Sequence, residues 1–402
     1  MTIKPARRTE HVQEYYFSRK NRQLDAMNAE RLAQGKDKII SLGIGAPDRM
    51  PPQPAIDKLC EVAREPGSHV YQNYTGLPAL REAFASWYSR YYGVTLNPVG
   101  EIQPLVGSKE GILLISLAYL NPGDKVLVPD PGYPTYITSA RLADAEVVTY
   151  DLTEENGFLP DFDQLEKMDL DGVKLMWTNY PNMPTGAAAT PELYQRIVDF
   201  AMKHKILVVN DNPYSFILNP HPCSILAAQG AKECALELNS LSKAHNMSGW
   251  RIGMVAGSAE IVAQVLKVKS QMDSGMFKAM QMAGVEAIAQ GDEWFTQLNA
   301  EYELRQIEAA RIFDLLGVKY PAKSSGLFLW GRVSADNPLI AGLPDDGRTI
   351  GEKMSDTLLY RAGVFMTPGV VFGKNGKDYV RVSLCATVPV LKKAYAKIKE
   401  IL

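Results

Sequence analysis

Lys243 has more potential chemistry around it than any other residue of this sequence. It stands in the run Leu238-Asn-Ser-Leu-Ser-Lys-Ala-His-Asn-Met-Ser-Gly-Trp-Arg-Ile-Gly253, between the hydroxyls of Ser240 and Ser242 and ahead of the guanidinium of Arg251. Taken alone, a lysine among serines after a β-rich run is an ordinary solvated loop residue. The group together suggests more, because hydroxyls and a planar cation grip a phosphate while a lysine that sheds its proton condenses with an aldehyde. Those are the needs of an aldehyde cofactor that carries phosphate.

A cofactor that also acts as an electron sink needs a carboxylate to keep its ring nitrogen protonated. Asp211 is the candidate. It ends the apolar run Ile206-Leu-Val-Val-Asn210, where a strand of an open α/β sheet would deliver it to the ligand-binding edge. In the same turn, Asp211-Asn-Pro-Tyr214, Tyr214 would offer a phenol to a ring oxygen, although the stretch by itself reads as an Asn-Pro turn. Gly107-Ser-Lys-Glu-Gly111 opens an apolar helix, a place where free N–H groups and the helix dipole favour phosphate, with Ser108 and Lys109 as donors. Gly-Ser before a helix is equally an N-cap. Tyr133, in Pro131-Gly-Tyr-Pro-Thr-Tyr136, would stack on an aromatic ring.

The elements that must position these residues alternate. Lys125–Pro129, Glu146–Tyr150, Val173–Trp177, Ile206–Asn210, Cys234–Leu238 and Ile252–Ala256 read as strands. Lys109–Leu120, Pro191–His204 and Ala259–Lys269 read as helices between them. This is the pattern of βαβ units, which predicts an α/β fold with a mostly parallel central sheet and helices on both faces. A long helical pattern from Asp292 to Leu316 then leads to strands at Phe328–Trp330, Val364–Met366 and Tyr379–Ser383 and a C-terminal helix, which predicts a smaller α+β domain. The expected division is an N-terminal segment 1–45 that joins the small domain or a dimer contact, a large domain 46–295 and a small domain 296–402.

Over nearly its whole length the chain resembles the class I/II aminotransferases of fold type I, enzymes dependent on pyridoxal 5'-phosphate. The motifs that carry the resemblance are Leu42-Gly-Ile-Gly-Ala-Pro-Asp48, Tyr71-Gln-Asn-Tyr-Thr-Gly-Leu-Pro-Ala-Leu-Arg81, Gly107–Gly111, Pro181-Asn-Met-Pro-Thr-Gly186, Asp211–Tyr214, Ser240–Lys243 with Arg251, and Tyr379-Val-Arg-Val-Ser383. Within the family it looks like the branch with LL-diaminopimelate, aspartate and alanine aminotransferases. The resemblance implies that Lys243 carries the cofactor, that Asp211 and Tyr214 hold its ring nitrogen and oxygen, and that Tyr133 stacks on it. It implies that Ser108, Lys109, Ser240 and Arg251 hold the phosphate, joined by Tyr71 from the other subunit of a homodimer, while Ser242 remains a cofactor donor on the reading of its own segment. Arg381 would clamp the substrate α-carboxylate, with the backbone at Gly45 closing over it. One departure stands out. The family commonly reads Asn-Pro-Thr-Gly where this chain has Met183-Pro-Thr-Gly186, and a thioether cannot supply amide hydrogen bonds, so Asn182 is the candidate to compensate.

Composition closes off other classes. The 402 residues are 46% hydrophobic and 22% charged with a net charge of −2, which suits a globular enzyme of small molecules and gives no reason to expect nucleic acid or membrane as a partner. No signal-peptide-like run is visible, so a cytoplasmic protein is expected. The four cysteines and five histidines are scattered, without metal-ligand spacing, and no metal is expected. The reading is therefore an aminotransferase that exchanges an amino group between an L-amino acid and a 2-oxo acid by ping-pong kinetics. The alternatives are a carbon–sulfur lyase or decarboxylase on the same scaffold, and a non-catalytic ligand-binding regulator.

Overall fold

The computed structural model describes residues 3–402. A seven-stranded sheet lies at its centre. In chain order its strands are β1 (Ile102–Leu105), β2 (Lys125–Asp130), β3 (Glu146–Asp151), β4 (Val173–Thr178), β5 (Leu207–Asp211), β6 (Ala235–Ser240) and β7 (Gly253–Gly257), arranged across the sheet as β1-β7-β6-β5-β4-β2-β3. The pairings from β3 through to β6 are parallel, and β7 runs antiparallel to both of its neighbours.

The strands are apolar nearly throughout because both faces are covered. Successive side chains go to opposite sides. Leu127, Met176, Val208 and Met254 thus join one buried cluster, and Val126, Val128, Leu175, Trp177, Val209 and Val255 join the other.

Three expected strands begin one residue further along the chain and end one residue later, or two in the case of β6. Strands β5, β6 and β7 gain Asp211, Ser240 and Gly257, since Asp211 pairs with Leu238 and Ser240 pairs with Gly253 in the ladder. Strand β1 was not foreseen. Its sequence Ile-Gln-Pro-Leu contains a proline, which argues against a central strand but is tolerated at the sheet edge where β1 lies. The expected strand Val364–Met366 is divided. Val364–Phe365 pairs in parallel with Ile40–Ser41 as a two-stranded sheet, and the chain then enters a further sheet.

This third sheet has three antiparallel strands, β8 (Phe328–Arg332), β9 (Thr367–Pro368) and β10 (Tyr379–Ser383), with β10 in the middle. The helix Asp292–Leu315 passes through the 295/296 junction unbroken. The helix Tyr16–Ala33 buries Leu24 with Ile39, Leu359 and Phe365, which fixes the N-terminal segment on C-terminal elements. Arg305 ties the long helix to the loop that follows Gly45: its Nη1 donates to Asp48 at 2.6 Å and to the Leu384 carbonyl at 3.1 Å, and its Nε to Glu301 at 2.9 Å. No helix of the described residues is long and apolar enough to cross a membrane.

Candidate active site

The carboxyl ends of β4, β5 and β6 open onto one side of the sheet, which is where open α/β folds collect ligands. Strand β7 returns antiparallel to β6, so the two ends of the 241–252 excursion meet there: Leu241 N–H donates to the Ile252 carbonyl at 3.0 Å. This brings Ser240, Ser242, Lys243 and Arg251 to one place. The helix Ser108–Tyr119 begins beside them. Gly107 precedes it at φ +79° and ψ 159°, a region essentially confined to glycine, and a Cβ there would lie 2.1 Å from Nη2 of Arg251. Gly253 has the same kind of role, because a Cβ would meet the Ser108 nitrogen at 2.8 Å.

These elements wall a cavity of about 460 Å³. Ser108, Lys109, Tyr133, Asp211, Tyr214, Ser240, Ser242, Lys243, Arg251, Gly45 and Arg381 all line it. Local sequence could not show that Arg381 and Gly45 would join the rest.

Lys243 Nζ donates to the Gly45 carbonyl at 2.5 Å and lies 5.9 Å from the centre of the Tyr214 ring. Burial draws its ammonium below the usual lysine range, and the Arg381 and Arg251 guanidiniums push the same way against Cys385 and Asp211. A lysine so placed gives up its proton more readily. Arg251 Nη1 donates to the Ser248 carbonyl at 2.8 Å and to Ser242 Oγ at 3.2 Å, which holds its planar group at the start of the helix. The Lys109 ammonium lies 4.1 Å from the centre of the Tyr15 ring.

Asp211 is buried at the floor. Tyr136 OH donates to its Oδ2 at 3.0 Å, and Oδ1 has no partner in the chain. Desolvation raises this carboxyl from 3.8 to about 7, with the Tyr136 hydrogen bond and the Lys243 charge acting in the opposite direction. Tyr136 itself stacks on Trp177 at 4.9 Å between ring centres. Burial also pushes the Tyr214 phenol upward.

Arg381 is only 3% exposed and forms no ion pair with a carboxylate of the described residues. Its Nη2 donates to the Gly43 carbonyl at 2.7 Å, Nη1 donates to the Met183 thioether at 3.2 Å, and Nε has no partner. Desolvation lowers it from 12.5 to about 10. A buried guanidinium without a counter-ion is costly, and an anion that enters relieves that cost. Gly43 and Gly45 let the chain pass this close, since a Cβ would lie 2.4 Å from the Phe365 ring at the first and 2.3 Å from the Phe328 ring at the second.

Two sequence candidates do not line the cavity. Asn182 Oδ1 accepts from Thr185 Oγ1 at 2.7 Å, and its Nδ2 is buried without a partner. Asn179 takes the place beside the cavity, where its Nδ2 donates to the Asp211 carbonyl at 2.6 Å and its Oδ1 accepts from Met183 N–H at 2.8 Å. Asn182 thus does not stand in for the amide that Met183 lacks, and the Met183 thioether itself meets Arg381. Tyr71 is 89% exposed and lies outside the cavity of its own chain. Tyr15, Phe17, Phe328 and Phe372 are lining residues that sequence reasoning missed, and so is Tyr136. Of these, Tyr136 carried a signal: it follows Tyr133 by one turn at the start of the helix Pro134–Leu142.

Pyridoxal phosphate fits this donor set. Asp211 Oδ1 and Ser240 Oγ are both buried without a partner, the first able to accept from a ring N–H and the second to donate to a phosphate oxygen. Free N–H groups at the start of the Ser108–Tyr119 helix and the Arg251 guanidinium favour the same anion.

Comparison with known proteins agrees. The family described as aminotransferase class I and II matches residues 37–398. The LL-diaminopimelate aminotransferase of Dehalococcoides mccartyi is 38% identical over 398 residues, with 98% of each chain covered. That of Aquifex aeolicus is 38% identical over 381 residues, covering 94% of this chain and 95% of its own. The substrate-bound structure of BacF from Bacillus subtilis superposes with a TM-score of 0.89 at 34% identity, covering 100% of this chain and 98% of its own. The chain belongs to the class I and II aminotransferases, pyridoxal-phosphate-dependent enzymes that move an amino group between an amino acid and a 2-oxo acid.

Proposed function

We propose that Lys243 both anchors the cofactor and moves the proton in this amino-group exchange. One observation carries the reading: the Lys243 amine, the partnerless Asp211 Oδ1 and the counter-ion-free Arg381 all face a single cavity. When bound, pyridoxal phosphate supplies an aldehyde for the amine and an electron-withdrawing ring. Arg381 takes the substrate α-carboxylate in a planar two-point grip and so aims the α-carbon at Lys243. With cofactor and amino acid in place, the Lys243 amine would take the α-proton and return it from the same side, helped by its lowered proton affinity. Asp211 would keep the ring nitrogen protonated, Tyr214 would hold the ring oxygen, and Tyr133 would stack on the ring. Ser108, Lys109, Ser240, Ser242 and Arg251 would hold the phosphate.

We further propose that Tyr71 serves the neighbouring site of a homodimer. Its exposure supports this, together with that of Val70 beside it in sequence. The proposed working units are 1–45, 46–295 and 296–402. The proposed compartment is the cytoplasm, supported by four cysteines that all stand free. The relatives' names put LL-diaminopimelate among the amino donors to assay, and the motif resemblance adds aspartate and alanine. The test is product analysis with an amino donor and a 2-oxo acid. Transferred nitrogen and a new 2-oxo acid are expected, whereas free ammonia, thiol or carbon dioxide would replace this reading with lyase or decarboxylase chemistry.

A further inference from the structure

The substrate end of the cavity is aromatic. The guanidinium carbon of Arg381 lies 3.9 Å from the centre of the Phe328 ring, 4.5 Å from that of Phe372 and 5.5 Å from that of Phe17. Tyr15 continues this wall, 5.6 Å from Phe17 between ring centres. The Met183 thioether closes it on another side, a polarizable group that packs well against ring edges.

Charge is distributed unevenly around this wall. The charged side chains that line the cavity are Lys109, Lys243, Asp211, Arg251 and Arg381. Four of them are cations. The single carboxylate, Asp211, is buried at the floor beside Tyr136 and belongs to the cofactor end in the reading above. Once Arg381 holds the α-carboxylate, no acidic side chain of this lining is left to receive a second ammonium. Lys109, Arg251 and Lys243 belong to the cofactor end in the same reading, so no cation of this lining is left for a second carboxylate either. A charged group taken out of water needs a partner, whereas an apolar or aromatic side chain needs only surface to cover, and rings supply much of it.

We infer that the amino donor is an L-amino acid with an aromatic or large apolar side chain, and that Tyr15, Phe17 and Met183 form the wall that selects it. This rests on the aminotransferase reading and on Arg381 as the carboxylate clamp. It separates the chain from what its relatives' names describe, because diaminopimelate bears a second ammonium and a second carboxylate at its far end.

The experiment mixes purified holoenzyme with single amino donors and follows loss of the visible band of the lysine-linked cofactor, so that no acceptor is involved. Phenylalanine, tyrosine and leucine are expected to react with second-order rate constants at least about tenfold above those of aspartate and LL-diaminopimelate, the range that a shaped apolar pocket supplies. In Phe17→Ala the ratio of phenylalanine to alanine is expected to fall by about tenfold. Alanine serves as the reference because it shares the carboxylate and the chemistry but does not reach the wall. Tyr15→Leu is read in the same way should Phe17→Ala fail to fold. LL-diaminopimelate or aspartate matching phenylalanine overturns the inference and leaves the aminotransferase reading standing, as does an unchanged ratio in the folded variants. Reaction with no donor at all overturns both.

Discussion

The Tyr136 hydroxyl donates to Oδ2 of Asp211 at 3.0 Å, while Oδ1 of the same carboxylate is buried with no partner. Half of this group is satisfied by the fold, and half is held ready for a donor from outside. Its proton affinity follows from that imbalance, being raised by burial from 3.8 to about 7. Since the folded value lies above the unfolded one, the associated stability is fully present below about pH 4 and is lost as the pH rises towards about 7. At about 1.4 kcal/mol per pH unit the whole effect is on the order of 4 kcal/mol. In the cofactor-free protein, Asp211→Asn is expected to gain thermal stability relative to wild type as the pH climbs from 5 to about 7 and to hold a constant lead above that. Melting temperatures across this range check it, and parallel curves would mean that Asp211 ionises freely.

The same substitution separates electronics from retention. Asp211→Asn leaves the grip of Arg251, Ser240 and Ser108 in place, so cofactor is expected to bind. The first half-reaction is expected to slow by orders of magnitude, because each 1.4 kcal/mol of lost transition-state stabilisation is about tenfold in rate. Single-turnover rates in the cofactor-saturated variant decide this, and a near-wild-type rate would reduce Asp211 to a turn residue.

Lys243→Ala is expected to abolish both the covalent cofactor link, seen as its visible absorbance, and turnover. The fold should survive, since the Lys243 side chain makes its one hydrogen bond to the Gly45 carbonyl. Full turnover in this variant would remove the central assignment.

Arg381→Ala is expected to cut kcat/KM for amino donors by about a hundredfold or more, the cost of losing a buried, charge-assisted pair. Cofactor affinity should change far less. Titrations of cofactor and of amino acid, run side by side, distinguish a carboxylate clamp from a structural cation, for which both would fall together.

Tyr71 offers a complementation test. If it serves the partner's site, a hybrid of one Lys243→Ala chain and one Tyr71→Ala chain contains one site with Lys243 and Tyr71 both intact. Activity in the hybrid is expected to exceed that of either parent and to approach half the wild-type value per dimer. No recovery on mixing would place Tyr71 in the site of its own chain or outside the chemistry altogether.

The motif residues were legible because each lies next to the element that carries it. Asp211 and Ser240 follow apolar runs, and Ser108 opens an apolar helix, so near-neighbour periodicity was enough to put them at the ligand edge. The two asparagines of the 179–186 loop illustrate the limit. Asn182 lies nearer Met183 in sequence, but the loop closes through the bond from Met183 N–H to Asn179 Oδ1, which brings Asn179 to the cavity and turns Asn182 to Thr185. That outcome depends on backbone hydrogen bonding over several residues and has no periodic signature.

By itself, then, the sequence determined the alternation of strands and helices, the clustering of Lys243 with Ser240, Ser242 and Arg251, and the departure at Met183, all of which are set by residues within a few positions of one another. Only the tertiary structure decided which distant groups share the cavity. Arg381 reaches it because β10 is the middle strand of its sheet, paired with Thr367 on one side and Trp330 on the other, and because Gly43 lets the N-terminal segment approach its Nη2. Phe17 arrives from a helix whose burial depends on Leu359 and Phe365 at the other end of the chain. Such convergence is fixed by strand register and by packing between elements hundreds of residues apart, and those interactions exist only once the chain has folded.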